Sequence, residues 1–124
     1  MKLYIDDIRN APSEAWTVAR TINAAITALS TFEVEEVSLD HDISHQVTVG
    51  GLSRPYPCAE CYCAVAHYLS QKFRDAVPES VPKITLHTAN PVGARDMEMI
   101  LKNEGGLECT YTRSPVANRL EMEV

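Results

Sequence analysis

The chain is 124 residues long, 45% hydrophobic and 23% charged, the size and make-up of one globular domain whose single core needs neither a metal nor disulfides as staples. Its 11 Lys and Arg stand against 17 Asp and Glu, and a formal net charge of -6 excludes an extended phosphate-tracking surface for DNA or RNA; a bound nucleotide belongs in a local pocket. The longest nearly uncharged stretch, Pro55 to Tyr68, contains Glu60 and is too short to span a bilayer, and Asp6-Asp7 interrupts the N-terminus before a signal-peptide core can form. Cys58, Cys61, Cys63 and Cys109 are too unevenly placed for a secreted disulfide framework, so the expectation is a soluble, cytoplasmic protein with reduced thiols and no membrane contact.

Lys2 to Ile5 is a short apolar run ending in Asp6-Asp7, the pattern of a buried strand delivering acids to a sheet edge. Ile8 to Ala15, with Asn10 and Pro12, reads as loop. Trp16 to Ala19 reads as a short strand, and Thr21 is placed to N-cap a helix from Ile22 to Ser30, its hydroxyl accepting an orphan N–H of the first turn. Val34 to Leu39 is a second acid-delivering strand, running into Asp40-His41-Asp42. The polar, Gly-containing stretch from Ser44 to Pro57 is long for a connection; it leaves directly from the acidic strand end, carries Gly50-Gly51 as a hinge, and is expected to cover the pocket with Arg54 as its anion contact.

Cys58, Tyr62, Val65, Leu69, Phe73 and Ala76 recur at helical spacing and predict a helix over Cys58 to Ala76. Lys83 to Leu86 is the next strand, ending in His87-Thr88-Ala89-Asn90. Gly93 to Asn103 is an amphipathic helix stopped by Gly105-Gly106, and Leu107 to Thr112 is the last strand. A domain over 1–113 is followed by a weakly patterned tail over 114–124. Alternating strands and helices call for a parallel sheet covered on both faces, with ligands at the carboxyl ends of the strands.

Those ends collect Asp6, Asp7, Asp40, His41, Asp42, His87, Thr88, Asn90 and Arg113. Hard carboxylates converging on one edge repel one another until a cation joins them, which points to Mg²⁺ (or Mn²⁺) at Asp6, Asp7 and Asp40. His41 and His87 are candidate acids or bases, against the plainer reading of histidines fixed by neighbouring carboxylates or by core hydrogen bonds. Arg9, Arg54, Arg95 and Arg113 are candidate phosphate clamps, although surface arginines are ordinarily solvated; Gly93 opens a helix whose N–H groups suit an anion, and Asn90 before Pro91 is by default a turn former. Cys58 and Cys61 fall on one face of the expected helix and Cys63 with His67 on another, so one helix cannot close a zinc tetrahedron from them, and packing is the expected role of the thiols.

The strings Asp6-Asp7-Ile8-Arg9, Trp16, Arg20-Thr21, Ser38-Leu39-Asp40-His41-Asp42 and His87-Thr88-Ala89-Asn90-Pro91 resemble the cyclic-phosphate processing receiver domain, a family related to the receiver domains of response regulators. The resemblance spans about Met1 to Leu101. It implies an α/β, flavodoxin-like, single-domain fold with a five-stranded parallel sheet in the order 2-1-3-4-5, from which this sequence departs by having a loop in place of the first receiver helix and the last helix missing or stunted. It further implies Mg²⁺ held by Asp6, Asp7 and Asp40, a phosphoryl-accepting Asp40, Thr88 steadying phosphoryl oxygens, and a role in processing or sensing nucleotide or RNA-end cyclic phosphates. The Lys usual after the fifth strand is absent; the nearest cation is Arg113, a permanently charged planar fork that does not reproduce the Lys switch. Two function classes follow: a metal-dependent phosphoesterase in which Asp40 or Asp42 attacks or activates water and His41 or His87 protonates the leaving oxygen, and a non-catalytic receiver-like module that binds a phosphorylated ligand or protein partner. A small structural metal protein is a weaker third. The sequence leaves the oligomeric state open.

Overall fold

A computed structural model describes residues 1–43, 48–49, 52–53 and 61–112. Along the chain come β1 (Lys2–Ile5), β2 (Trp16–Ala19), α1 (Ile22–Thr31), β3 (Glu36–Leu39), β4 (Thr48–Val49), β5 (Leu52–Ser53), α2 (Cys63–Phe73), a 3-10 turn (Pro78–Ser80), β6 (Lys83–Leu86), α3 (Pro91–Gly105) and β7 (Thr110–Tyr111). Five strands form one sheet in the order β2-β1-β3-β6-β7, every neighbouring pair parallel. Counted among themselves the strands run 2-1-3-4-5, the flavodoxin-like order anticipated from the sequence.

The register sets the faces. Leu3, Val37 and Ile84 lie side by side, as do Ile5, Leu39 and Leu86, and these six join Ala25 and Leu29 of α1, Val65 and Leu69 of α2, and Met97 and Leu101 of α3 in one apolar core. The alternate row, Tyr4, Ser38 and Thr85, stays out of that core. All three helices therefore pack on one face, where the alternation of elements predicted cover on both. The cause is local: the segment between β1 and β2 is irregular, so no helix returns over the second face there.

Capping explains the helix ends. Thr21 Oγ1 accepts the Ala24 N–H at 3.0 Å, as its position before Ile22 predicts. Asn90 Oδ1 accepts the N–H groups of Val92 and Gly93, both at 3.1 Å, with Pro91 at the first helical position, so α3 opens two residues before Gly93. Gly106, at φ +64°, ends it in the left-handed conformation that glycine adopts without strain.

The expected helix over Cys58 to Ala76 shortens to α2. Cys61 instead forms an antiparallel bridge with Asp42, and the Tyr62 N–H donates to the His41 carbonyl at 2.8 Å, so this backbone is engaged with the end of β3 before the helix begins. Within the stretch read as an uninterrupted loop, β4 and β5 pair antiparallel through Thr48 with Ser53 and Val49 with Leu52. The last strand contracts from Leu107–Thr112 to β7. Arg54, Cys58, Arg113, the remainder of the expected lid and the tail over 114–124 lie outside the described residues.

A Cβ on Gly105 would stand 2.7 Å from Ser70 Cα, so α2 and α3 approach to a distance only glycine permits there. Gly105→Ala should therefore cost about 1–3 kcal/mol through forced separation of the two helices, read as a lowered thermal midpoint with unchanged secondary structure at low temperature.

Candidate functional site

Asp6 and Asp40 follow paired strands at adjacent register positions, Ile5 and Leu39. Asp6 is fully buried. Its Oδ1 accepts the N–H groups of Ile8 and Arg9, both at 2.9 Å, which turns the chain sharply after β1. That turn brings the Arg9 guanidinium back over the strand ends, where Nη1 donates to Asp6 Oδ2 at 3.1 Å and to Asp40 Oδ2 at 3.2 Å. Arg20 holds the turn from outside, its Nη1 donating to the carbonyls of Arg9 at 2.7 Å and Asp6 at 3.2 Å.

His87 closes the cluster. A carboxylate only accepts, so His87 Nε2 carries the hydrogen donated to Asp6 Oδ2 at 2.9 Å, while Nδ1 shares a hydrogen with Ser38 Oγ at 2.8 Å. The imidazole stacks on Tyr4, centroids 4.4 Å apart and planes 7° off parallel, with Trp16 edge-on to Tyr4. One oxygen from each of Asp6 and Asp40 and one nitrogen of His87 lie within 4.8 Å of one another, a buried cluster able to hold a metal ion.

Within this cluster the two carboxylates are pushed apart in acidity. Burial works against ionised Asp6, but the hydrogen bond from His87 and those from the Arg9 and Ile8 N–H groups outweigh it and hold the carboxyl well below its usual range. Asp40 is raised, first by burial and then by the Asp6 charge, against the opposing pull of His87, the His41 N–H and Arg9. Burial, with Asp6 next, likewise lifts the Tyr4 phenol to about 12.

A second set of side chains lies on the other side of Asp40. His41 is buried and donates Nδ1–H to Asp42 Oδ1 at 2.6 Å; Asn90 Nδ2 donates to the same oxygen at 3.3 Å. The His41 hydrogen bond leads in holding Asp42 below the ordinary carboxylate range, and half of that side chain faces solvent. Gly93 lies under the His41 ring, where a Cβ would come within 2.4 Å of Cγ. The sulfurs of Cys61 and Cys63 and one ring nitrogen of His41 fall within 4.8 Å of one another. Hydrogen bonding from Cys63 foremost, with a further contribution from His41, lowers the Cys61 thiol to about 4 despite burial.

The structure thus brings Asp6, Asp40, His87 and Arg9 into one buried cluster, and His41, Asp42, Asn90 and Gly93 into a contiguous second. Asp7 is half-buried and is not one of the three grouped donors; burial first, and then its charge, raise the Tyr62 phenol. The Thr88 hydroxyl accepts the Asn90 N–H at 3.1 Å, and the Gly93 N–H is taken by Asn90. Arg95 is exposed on α3, its charge felt at Tyr111. Sequence reasoning named Ser38 and Arg20 only within the family strings, without a role, and gave no site role to Tyr4 or to Tyr62, whose hydroxyl donates to the Arg20 carbonyl at 2.7 Å. It also missed the thiols' proximity to His41, which becomes visible only once Cys61 is taken off the helix.

A parallel 2-1-3-4-5 sheet with acids at the carboxyl ends of its first and third strands defines a receiver-like α/β protein. The family model for the cyclic-phosphate processing receiver domain matches residues 1–103, and the chain belongs to that family. No curated protein and no solved structure matches it. Among the described residues no helix is long and apolar enough to cross a membrane.

The opposed shifts give opposite stability effects. Asp6, with its folded pKa depressed, contributes stability that is present above the unfolded carboxylate value and lost as pH falls through the folded one. Asp40, with its folded pKa raised, contributes stability below the unfolded value that is lost as pH rises through the folded one. At neutral pH without divalent ions, Asp6→Asn should therefore cost about 3 kcal/mol, a drop of roughly 10 °C in thermal midpoint, by leaving Arg9 and His87 short of an acceptor. Asp40→Asn should leave the midpoint unchanged or raise it. Thermal melts across pH should show both differences shrinking below about pH 4, where the carboxylates of the unfolded chain take up protons.

Proposed function

We propose that this chain processes nucleotide or RNA-end cyclic phosphates in a divalent-cation-dependent way at the carboxyl edge of its sheet. The observation that carries the reading is Arg9 Nη1 between Asp6 Oδ2 and Asp40 Oδ2, 3.1 and 3.2 Å away: one positive charge already touches both buried carboxylates there. The donor set fits Mg²⁺ or Mn²⁺ on this ground, with Asp6, Asp40 and the half-buried Asp7 supplying hard oxygens. When bound, the ion would polarise a phosphoryl oxygen and offset the charge built up in phosphoryl transfer.

The chain's own residues divide the rest of the work. Arg9, relieved of one carboxylate, turns a planar donor fork toward the phosphate; its Nε is buried with no hydrogen-bond partner among the described residues. Asp40, the carboxylate held at raised pKa, is the nucleophile or the base for water. His87, as imidazolium with Nδ1–H on Ser38 Oγ, gives its Nε2 proton to the departing ribose oxygen and is left neutral, Asp6 staying ionised and Ser38 keeping the ring in place. Asp42, half exposed and fixed by His41 and Asn90, faces the incoming nucleotide, with Thr88 contributing a hydroxyl. His41 orients Asp42. Arg95 is left to the nucleotide's outer part, as are Arg54 and Arg113, which lie outside the described residues.

One observation favours the non-catalytic module instead. Both His87 nitrogens are already hydrogen-bonded in a ring that is 2% exposed, as suits a protein that binds a phosphorylated ligand and does not turn it over.

The two readings part on incubation of the protein with a panel of 2′,3′-cyclic nucleotides and cyclic-ended RNA, with and without Mg²⁺ or Mn²⁺. Processing predicts conversion to phosphomonoester that needs the cation, is abolished by Asp40→Asn, and falls about a hundredfold in turnover in His87→Gln with cation binding retained. Binding of a panel member without conversion would establish the module. If the protein neither binds nor converts any member of the panel, the assignment is overturned.

A further inference from the structure

We propose that His41, Cys61 and Cys63 form a second metal site, separate from the carboxylate cluster and selective for a soft tetrahedral cation, Zn²⁺. The three side chains come from two stretches of chain that the fold clamps together: the Asp42–Cys61 bridge and the Tyr62 N–H donated to the His41 carbonyl at 2.8 Å set Cys61 and Cys63 opposite the end of β3. One donor atom from each lies within 4.8 Å of the other two, and two sulfurs with one imidazole nitrogen are a donor set that zinc takes in preference to Mg²⁺, which demands oxygen.

The imidazole is prepared as a ligand. Nδ1–H is tied to Asp42 Oδ1 at 2.6 Å, which leaves Nε2 as the coordinating nitrogen and gives the carboxylate–histidine–metal relay that fixes a ligating ring. The ring face lies on Gly93, where a methyl group would press to 2.4 Å of Cγ, and the residue as a whole is 1% exposed, so it enters the cluster in one orientation. Three protein donors and a fourth position outside this set meet zinc's usual coordination number. Binding releases the thiol protons to solvent and involves no redox step. Coordination here would fasten the N-terminus of α2 to the end of β3, next to Asp40 and Asp42.

This inference does not depend on cyclic phosphates being the substrate, and its test uses no substrate. Reduced, metal-stripped protein is titrated with Zn²⁺ against a chromogenic chelator. The expected result is one zinc per chain, not displaced by excess Mg²⁺, kept in Asp6→Asn and Asp40→Asn and lost in Cys61→Ser/Cys63→Ser. Asp42→Asn should weaken binding at least about tenfold by releasing the ring, and Gly93→Ala should weaken it as well. Co²⁺ in place of zinc should give a thiolate charge-transfer band and the intense visible absorption of tetrahedral cobalt. Should the serine variants fail to fold, the unaltered chain still decides: Zn²⁺ should protect Cys61 and Cys63 from alkylation, mapped by peptide mass spectrometry. Absence of zinc binding, binding that survives the double serine substitution, or Co²⁺ spectra without thiolate bands would overturn the site. The last two would assign the ion to the carboxylates.

Discussion

Two carboxylates in a buried sheet edge repel each other, and the rest of this end of the molecule is arranged around that repulsion. Parallel pairing of β1 with β3 places Asp6 and Asp40 next to each other as soon as Ile5 and Leu39 are in register. With an oxygen of each no more than 4.8 Å apart, two full charges cost at least about 3.5 kcal/mol at an effective dielectric of 20. Three adjustments offset this: a guanidinium between the pair, an imidazole N–H on Asp6, and unequal acidity that leaves Asp40 the easier of the two to protonate.

The guanidinium is there because a helix is not. A chain entering a helix after β1 would carry Arg9 along the helix axis; here Asp6 accepts the N–H groups of Ile8 and Arg9, the chain folds back, and Arg9 lands on Asp6, three residues upstream, and on Asp40. Arg20 secures that reversal by bonding two of its carbonyls, and Tyr62, at the mouth of α2, secures Arg20 by donating to its carbonyl. The irregular segment that stands in place of a helix therefore supplies the cation that the strand ends require. The alternate face of the sheet is used as well, since the buried Tyr4 provides the platform on which His87 stacks.

Much of this is written in short-range pattern. The strands β1, β2 and β6, the Thr21 cap, the loop between β1 and β2, and the concentration of acids and histidines at strand ends follow from apolar runs broken by polar residues, and the sheet order from the family resemblance. What did not follow is long-range pairing. Periodicity from Cys58 to Ala76 is helical throughout, yet Cys61 and Tyr62 gain more by pairing with Asp42 and His41 than by extending α2, and no local signal reveals a partner about twenty positions away. The same limit hid the tie between His87 and Ser38, 49 residues apart, and the descent of Arg9 onto Asp40. Gly93 was read for its N–H; its function in the fold is its missing Cβ, which only the His41 ring above it explains.

Asp40-His41-Asp42 is where these threads meet, because successive residues leaving a strand point different ways. Asp40 turns inward to Arg9, His41 turns to the thiols, and Asp42 reaches the surface while holding His41 in place. A tripeptide that reads as one acidic motif is thus divided between a hard, oxygen-rich cluster and a soft, sulfur-rich one, joined by a single peptide unit. The His41 N–H itself donates to Asp40 Oδ1 at 2.8 Å, so any change that rotates the His41 backbone also alters the acceptor set around Arg9. Hydrogen bonding across one peptide group is a short and stiff connection. It links the thiol side of the molecule to the way Asp40 is presented, with the buried His41 imidazole beside the carboxylates and its ring turned to the thiols.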